Sequence, residues 1–312
     1  MKQEQHPERP SSPKGNTQVA YPIPKPIIWL GRLLQFFSKD LAAGYSRIFF
    51  MRPIRHKMKP AEKRWKEQAE RSEIEVPSIG KRIHVYRWGD PEAPKVLIAH
   101  GWSGRGTQFI DLSRKLLDAG YQVYAFDAPA HGDSGTKRTL MLEFIESIRE
   151  MDRRFGPFDA IVGHSMGGIA ALNAVGRFGM KTGRLVTVGI PDSIKKIFYQ
   201  FAEIMGLKPI IAEKNIDYLA QVYGTDIDHL AGSYNASLTD IPVLVVHDRK
   251  DKEVPYTEAE AIVQHLKNGK LLLTEGFGHR RILRNPEVID QIVHYIRTGE
   301  LRNENQDHGT QK

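Results

Sequence analysis

The sequence of 312 residues contains no cysteine. This absence excludes disulfide bonds, cysteine-based zinc sites and thiol nucleophiles together, and it agrees with a reducing compartment. The first residues lack the apolar segment of a secretory signal, and no uncharged stretch reaches the length of about 20 residues that spans a bilayer. We therefore expect a cytoplasmic protein, either free or held at the membrane surface.

Two further patterns are missing. No residues have the spacing of a metal-binding motif, and no glycine-rich loop ends in the Gly-Lys-Ser/Thr of a phosphate-binding loop. The sequence thus predicts neither a metal nor another cofactor.

Positive charge is unevenly distributed along the chain. Residues 1–72 contain 15 Lys/Arg and 6 Asp/Glu, a net charge of +9. The other 240 residues contain 30 Lys/Arg and 31 Asp/Glu, a net charge of −1. The main body is therefore nearly neutral, and we expect no nucleic-acid partner. The basic region is interpreted as separate from the chemistry of the body.

This N-terminal region has two parts. Residues 1–26 are polar and rich in proline, which predicts a disordered arm. Residues 27–72 predict a basic, amphipathic helical arm, with one helix over residues 27–51. Two interpretations stay open: residues 27–66 pack on the body or on a second copy in a homodimer, or they contact a membrane surface. Polar residues Arg32, Gln35, Lys39, Asp40, Ser46 and Arg47 share one side of the predicted helix, and Leu33, Leu34, Phe37, Leu41, Tyr45 and Ile48 share the other.

Residues 73–298 alternate between β-type and helical segments, which predicts an α/β fold with right-handed crossovers. We expect an eight-stranded, mostly parallel sheet with helices on both faces, beginning with an antiparallel edge hairpin. The interval 190–240 is too long for a plain connection and predicts a small helical cap over the substrate pocket. Residues 299–312 predict a flexible tail. The predicted strands are 73–76, 82–88, 96–100, 122–127, 160–162, 185–189, 243–247 and 271–274.

The strongest chemical signal is Gly-His-Ser-Met-Gly at residues 163–167, between an apolar strand and a helix rich in small residues. A sharp turn there requires glycine on both sides and holds the serine hydroxyl near the positive end of the helix. Ser165 is therefore the predicted nucleophile. A glycine-rich packing turn without chemistry is the alternative.

A serine nucleophile requires a base, and the base requires a carboxylate. His279 lies in a glycine-flanked loop after the last predicted strand, so it is the predicted base. Asp248 and Asp251 both follow the strand 243–247, and both remain candidates for the carboxylate. Asp251 is better placed to reach the loop of His279.

Backbone N–H groups are needed to hold the oxyanion that forms when the serine attacks. The predicted donors are Met166, directly after the serine, and Trp102, in the loop after the third strand. Arg105, Arg280 and Arg281 lie on the same loops as the site. They are interpreted either as binding an anionic substrate or as ordinary solvated and paired arginines.

The order of these segments resembles the α/β-hydrolase superfamily, in its lipase, esterase and peptidase-like group. Residues 100–104 (His-Gly-Trp-Ser-Gly) look like its oxyanion loop, and residues 127–134 are similar to its Asp-x-Pro-Gly-His-Gly-x-Ser segment. Residues 247–255 resemble its His-Gly-x-x-Asp-x-x-Val-Pro acid loop, which puts Asp251 at the acid position. Ala130 and Asp248 replace two of the family's glycines, and Asp248 is left as a fallback carboxylate.

The resemblance implies a serine hydrolase that cleaves carboxylic esters of small-molecule acyl substrates through an acyl-serine intermediate. Ser165, Asp251 and His279 follow the order of the family's triad. Thioesterase, C–C hydrolase and cofactor-free haloperoxidase chemistry use similar sites and stay as alternatives. The alternative outside enzymes is a membrane-attached, non-catalytic interaction protein.

Overall fold

A computed structural model describes residues 23–302, and its centre is a single eight-stranded sheet. The strands are β1 (Glu70–Val76), β2 (Lys81–Trp88), β3 (Lys95–Ala99), β4 (Gln122–Asp127), β5 (Phe158–His164), β6 (Thr182–Val188), β7 (Val243–Asp248) and β8 (Gly269–Thr274). The helices are α1 (Lys25–Phe37), α2 (Lys39–Phe50), α3 (Pro60–Glu67), α4 (Ile110–Asp118), α5 (Met141–Phe155), α6 (Met166–Gly176), α7 (Ile194–Ile204), α8 (Pro209–Tyr223), α9 (Gly232–Ser237), α10 (Tyr256–His265), α11 (Gly278–Arg281) and α12 (Pro286–Thr298).

The strand order is β1-β2-β4-β3-β5-β6-β7-β8. The pairs β1–β2 and β2–β4 are antiparallel, and all other neighbours are parallel. The predicted α/β class, the mostly parallel sheet and the antiparallel edge hairpin are confirmed, with strand ends displaced by a few residues. The carboxyl ends of the parallel strands therefore meet at one edge, where ligands of such sheets bind.

Helices cover both faces of the sheet, because alternate residues of each strand point to opposite sides. Leu97 belongs to a core formed with α5, α6 and α10, whereas the next residue, Ile98, belongs to a core formed with α3, α4 and α12. Strands buried on both faces are continuous apolar runs. The cap between β6 and β7 consists of α7, α8, a short 3-10 turn and α9.

The N-terminal helical region differs from its prediction. The single helix expected over residues 27–51 is two helices, α1 and α2, which break at Ser38. This residue has extended backbone, and its hydroxyl accepts a hydrogen bond from the N–H of Leu41 at 3.3 Å, so it caps α2. Helix α1 begins within the predicted 1–26 arm, and residues 1–22 and 303–312 lie outside the described residues.

In a surface helix the apolar side is normally the buried one. Here residues from both predicted sides are turned inward: Leu34 and Tyr45 pack against the core, and Gln35 of the polar side accepts a hydrogen bond from the N–H of Lys208 in the cap at 3.0 Å. Arg47 donates to the side chain of Asn215 at 3.2 Å, and Asn215 donates to Ser46 at 2.9 Å. Within residues 23–302, none of the helices has both the length and the hydropathy that crossing a bilayer requires.

Candidate active site

Ser165 lies at the turn from β5 to α6, where the backbone is strained. Its φ is 50° and its ψ is −119°, in a region that residues other than glycine seldom occupy. The N–H of Ser165 donates to the carbonyl of Val188 on β6 at 2.9 Å. The hydrogen bond to the sheet therefore maintains the strained conformation. The turn places Ser165 at the edge of the sheet where the parallel strands have their carboxyl ends.

The glycines around Ser165 are required because other backbone lies too close for a side chain. A Cβ atom at Gly163 would lie 2.4 Å from the Cα of Gly168, and one at Gly167 would lie 2.4 Å from the carbonyl oxygens of Ala99 and His100. The turn from strand to helix can be this sharp only without side chains at both positions.

His279 and Asp251 form a buried pair. The ring Nδ1 of His279 lies 2.7 Å from Oδ2 of Asp251, and Oδ1 of Asp251 accepts hydrogen bonds from the N–H groups of Glu253 (2.8 Å) and Val254 (2.9 Å). Because the carboxylate accepts, Nδ1 carries the proton of the neutral ring, and Nε2 has the free lone pair. This arrangement orients a general base.

The ionised state of Asp251 is favoured by its surroundings. Burial alone would raise the pKa of this carboxyl, but side-chain hydrogen bonds from His247 and His279 outweigh burial and hold the pKa well below its usual range. Nε2 of His247 lies 3.4 Å from Oδ2 of Asp251. The carboxylate is thus charged at neutral pH and can stabilise a protonated His279.

Asp248 has a different role from Asp251. Its carboxylate accepts hydrogen bonds from the hydroxyl of Thr274 at 2.8 Å and from the N–H groups of Phe277 at 2.9 Å and Gly276 at 3.2 Å. These contacts fasten the loop that leads to His279, and no contact with the His279 ring is found among those of the described chain. Asp248 therefore braces the loop rather than duplicating Asp251.

Both residues predicted to donate to the oxyanion line the same cavity as Ser165 and His279. Met166 is the first residue of α6, so its N–H has no partner inside the helix. The loop that carries Trp102 passes beside the serine, since a Cβ atom at Gly101 would lie 3.0 Å from the Cβ of Ser165. Their role as donors stays a prediction, consistent with this placement.

The three arginines predicted as substrate ligands are not among the residues that line the cavity. Arg105 is buried, and its Nε lies 2.9 Å from Oε1 of Glu62 on α3. The Nε of Arg280 lies 2.9 Å from Oε1 of Glu253, and Arg281 donates to backbone carbonyls of its own loop. Substrate binding by these arginines stays an untested prediction; their contacts favour the alternative interpretation as paired arginines, which brace the loops around the site.

Two residues near the site were not singled out by the sequence analysis. Gly189, at the end of β6, has a φ of 61°, and a Cβ atom there would lie 3.1 Å from Nδ1 of His279. His164, inside the glycine turn, has its Nε2 2.8 Å from the carbonyl oxygen of His279. Burial, and then the nearby His279, lower the pKa of His164 to about 3, so its neutral ring donates to this carbonyl.

The cavity has a volume of about 770 Å³, and its walls above Ser165 come from the cap and from the N-terminal hairpin. The N-terminal region therefore forms part of the cavity wall, although the predicted catalytic side chains all come from the body. The sequence could not reveal this, because the hairpin and the cap are distant in the chain. The N-terminal region contributes the apolar residues Ile23, Ile27, Phe49 and Phe50, and the cap contributes apolar residues that include Ile194, Ile197, Phe198, Phe201, Leu219 and Tyr223, beside the polar Ser193, Lys196 and Gln200.

Comparison with known proteins agrees with this architecture. The monoacylglycerol lipase of Mycolicibacterium smegmatis is 25% identical over 272 residues, which cover 72% of this chain and 97% of that protein. The serine hydrolase BPHL of Mus musculus is 24% identical over 240 residues, which cover 69% of this chain and 82% of that protein. The solved structure of the Pyrococcus furiosus esterase Pf2001 has a TM-score of 0.58 at 18% identity, covering 78% of this chain and 97% of that one.

The sequence profile of the alpha/beta hydrolase family matches residues 96–290, which is more than half of the chain. The chain therefore belongs to the alpha/beta hydrolase family and is a hydrolase enzyme of that type.

Proposed function

We propose that this member of the family hydrolyses carboxylic esters with apolar acyl groups through an acyl-Ser165 intermediate. The observation that carries the proposal is the buried His279–Asp251 pair, with 2.7 Å between Nδ1 and Oδ2, on the wall of the cavity that Ser165 also lines. A polarised histidine beside a strained serine is the arrangement that acyl transfer requires.

The reaction begins with attack of the Ser165 Oγ on the ester carbonyl while Nε2 of His279 accepts the hydroxyl proton. The N–H groups of Met166 and Trp102 bind the resulting oxyanion, each contributing roughly 3 kcal/mol of transition-state stabilisation. The protonated His279, stabilised by Asp251, gives its proton to the leaving alcohol. Collapse of the tetrahedral intermediate breaks the ester C–O bond and leaves the acyl group on Ser165.

A water molecule then completes the cycle. His279 takes a proton from the water as its oxygen attacks the acyl carbonyl, and the second tetrahedral intermediate collapses with return of that proton to Ser165 Oγ. The products are a carboxylic acid and the free enzyme.

The walls of the cavity support an apolar acyl chain as the preferred group. Most of the side chains from the hairpin and the cap are aliphatic or aromatic, and a cavity of about 770 Å³ has the size of ligand pockets in general. One relative in the comparison is named a monoacylglycerol lipase, which agrees with an acyl substrate.

The proposal is tested with p-nitrophenyl esters of graded chain length, comparing the wild type with Ser165→Ala. We expect hydrolysis by the wild type, with kcat/KM rising from acetate to medium chains, and a loss of roughly 10⁴-fold or more in the variant. Equal hydrolysis by a folded Ser165→Ala variant would remove Ser165 from the mechanism.

A further inference from the structure

We infer that the α1–α2 hairpin docks on an anionic lipid surface through an apolar face that points outward. The biological role of this docking, supply of substrate, rests on the proposed ester hydrolysis. This outer face consists of six residues that are all exposed to solvent: Trp29, Leu30, Leu33, Phe36, Phe37 and Leu41.

The outer face is a continuous feature rather than a scatter of exposed side chains. Trp29, Leu33, Phe36 and Phe37 recur at helical spacing, so they lie along one side of α1. The exposed fractions are 71% for Trp29 and 78% for each of the two phenylalanines. Apolar surface of this kind on a folded protein marks a site of contact with another body.

The hairpin is fixed with this face outward. Three of its polar residues, Gln35, Ser46 and Arg47, are hydrogen-bonded to the cap. Gly31 is buried, and a Cβ atom there would lie 3.4 Å from the side chains of Met205 and Tyr45. Rotating α1 to bury the outer face would break the hydrogen bond of Gln35 and the close packing at Gly31.

The charges around the outer face select its partner. The hairpin, residues 25–50, contains four Lys/Arg, of which Arg47 is bound to the cap, and a single acidic residue, Asp40. That carboxylate lies 2.7 Å from the Nζ of Lys214, so it does not offset the charge of the face. Lys25, Arg32 and Lys39 are exposed beside the apolar residues. Anionic headgroups complement such a surface, and tryptophan is enriched at the boundary between headgroups and acyl chains.

A second copy of the chain is the less favourable occupant. A symmetric dimer brings the same patch of both subunits together, so each copy would set its basic residues against those of the other. Repulsion between them opposes this association, whereas an anionic bilayer accepts both the apolar side chains and the cations.

Docking would also place the substrate source beside the cavity. Ile27 lines the cavity from α1, and Trp29 lies only two residues away on the outer face. The helix that meets the lipid is therefore also a wall of the acyl cavity. The lipid surface would supply acyl esters next to the cavity, which narrows the proposed substrate class to esters that reside in membranes.

The test measures co-sedimentation of the full chain with vesicles of phosphatidylglycerol and phosphatidylcholine, and with vesicles of phosphatidylcholine alone. We expect binding to the mixed vesicles that weakens with salt. The double variant Phe36→Ser/Phe37→Ser should bind roughly tenfold more weakly or worse, because two interfacial aromatic side chains are lost. The matched control, Val222→Ser/Leu238→Ser, removes two exposed apolar residues outside the hairpin and should bind as the wild type does.

Three results would overturn the inference. These are no binding by the wild type, equal binding by both double variants, and a wild type that sediments as a dimer which Phe36→Ser/Phe37→Ser converts to monomers without any vesicle binding. If the phenylalanine variant is poorly folded, the emission of Trp29 gives the second measurement: it should shift to the blue with mixed vesicles, and Trp29→Phe should abolish the shift. An absent shift contradicts docking.

Vesicle binding is measured for Ser165→Ala as well, so that the two proposals fail separately. Binding without hydrolysis by the wild type would contradict the proposed function and keep the docking surface. Hydrolysis of p-nitrophenyl butyrate without vesicle binding would contradict the docking surface and keep the proposed function. Phe36→Ser/Phe37→Ser should hydrolyse this soluble ester at the wild-type rate, since neither residue lines the cavity.

Discussion

The catalytic edge of the sheet and the N-terminal hairpin are built in opposite ways. At the edge, Asp248, Asp251 and His164 are buried or half-buried polar groups, and each has defined hydrogen-bond partners. In the hairpin, Gln35 and Arg47 are bound to the cap, and Trp29, Phe36 and Phe37 face the solvent. The edge fixes a small number of atoms in one geometry, whereas the hairpin provides an apolar wall and a contact surface that tolerate variation.

The first prediction compares the two carboxylates at the edge, and it has the largest expected effect. Asp251→Asn should lower kcat by roughly 10⁴-fold, because the amide no longer stabilises the protonated His279 or enforces its tautomer. Asp248→Asn is the matched control and should retain most of kcat while lowering the free energy of unfolding. Steady-state kinetics and urea unfolding measure both, and equal losses of kcat would contradict the assignment.

The second prediction compares two glycines with the same φ angle. Gly189 and Gly224 both have a φ of 61°, so alanine costs similar strain at each, on the order of 1 kcal/mol. A Cβ added at Gly189 would lie 3.1 Å from Nδ1 of His279, whereas one added at Gly224 would have no described atom within 4 Å apart from its own neighbours in the chain. Gly189→Ala should therefore lower kcat roughly 100-fold through displacement of His279, and Gly224→Ala should not change kcat. Similar kinetics for the two variants would refute this contact.

The third prediction concerns His164, which joins the serine turn to the loop of His279. His164→Gln should lower kcat about tenfold by loosening this contact, with little change in KM. Its folded pKa, about 3, lies below the ordinary value of 6.5, so the unfolded chain binds the proton more readily. Its contribution to stability is full above pH 6.5 and is lost as the pH falls toward 3.

The test for His164 uses this pH dependence. The free energy of unfolding, measured in urea at pH 7 and pH 4, should fall less in His164→Gln than in the wild type. A variant with the same decrease in stability and an unchanged kcat would show that the histidine is an ordinary packing residue.

The fourth prediction concerns the apolar wall of the cavity, where we expect the smallest effect on catalysis. Phe50 lines the cavity from α2 and lies against Phe198 of the cap, with ring centroids 4.3 Å apart. Phe50→Ala should enlarge the cavity and shift the preferred ester chain by a few carbons, with a few-fold change in kcat/KM. Ester profiling of this variant beside the control Val222→Ser measures the shift. Unchanged chain-length preference would mean that the hairpin does not contact the acyl group.

The comparison also explains what could be predicted from the sequence. Ser165, Asp251 and His279 follow strands directly, so local pattern and strand order were enough to name them, and the eight-stranded sheet was predicted for the same reason. The contacts of Gly189 and His164 join segments that are far apart in sequence, and no local pattern reports such contacts.

The hairpin was the hardest region to predict. Helical periodicity identifies two sides of a helix but does not say which side meets the body. Here hydrogen bonds with Lys208 and Asn215 decide the orientation, and both partners lie in the cap. The break between α1 and α2 depends on Ser38, whose hydroxyl binds the first turn of α2. The apolar residues on both sides of Ser38 obscured this signal, so one helix was expected where two occur.

The central claim is that Ser165 is a nucleophile activated by His279 and Asp251. Its most direct test is labelling of the native protein with a fluorophosphonate, followed by mass spectrometry of the modified peptide. We expect one adduct, on Ser165, with labelling abolished by prior unfolding and strongly slowed in Asp251→Asn. A native, folded protein that takes up no label at Ser165, or takes it up equally fast without the Asp251 carboxylate, would contradict the claim.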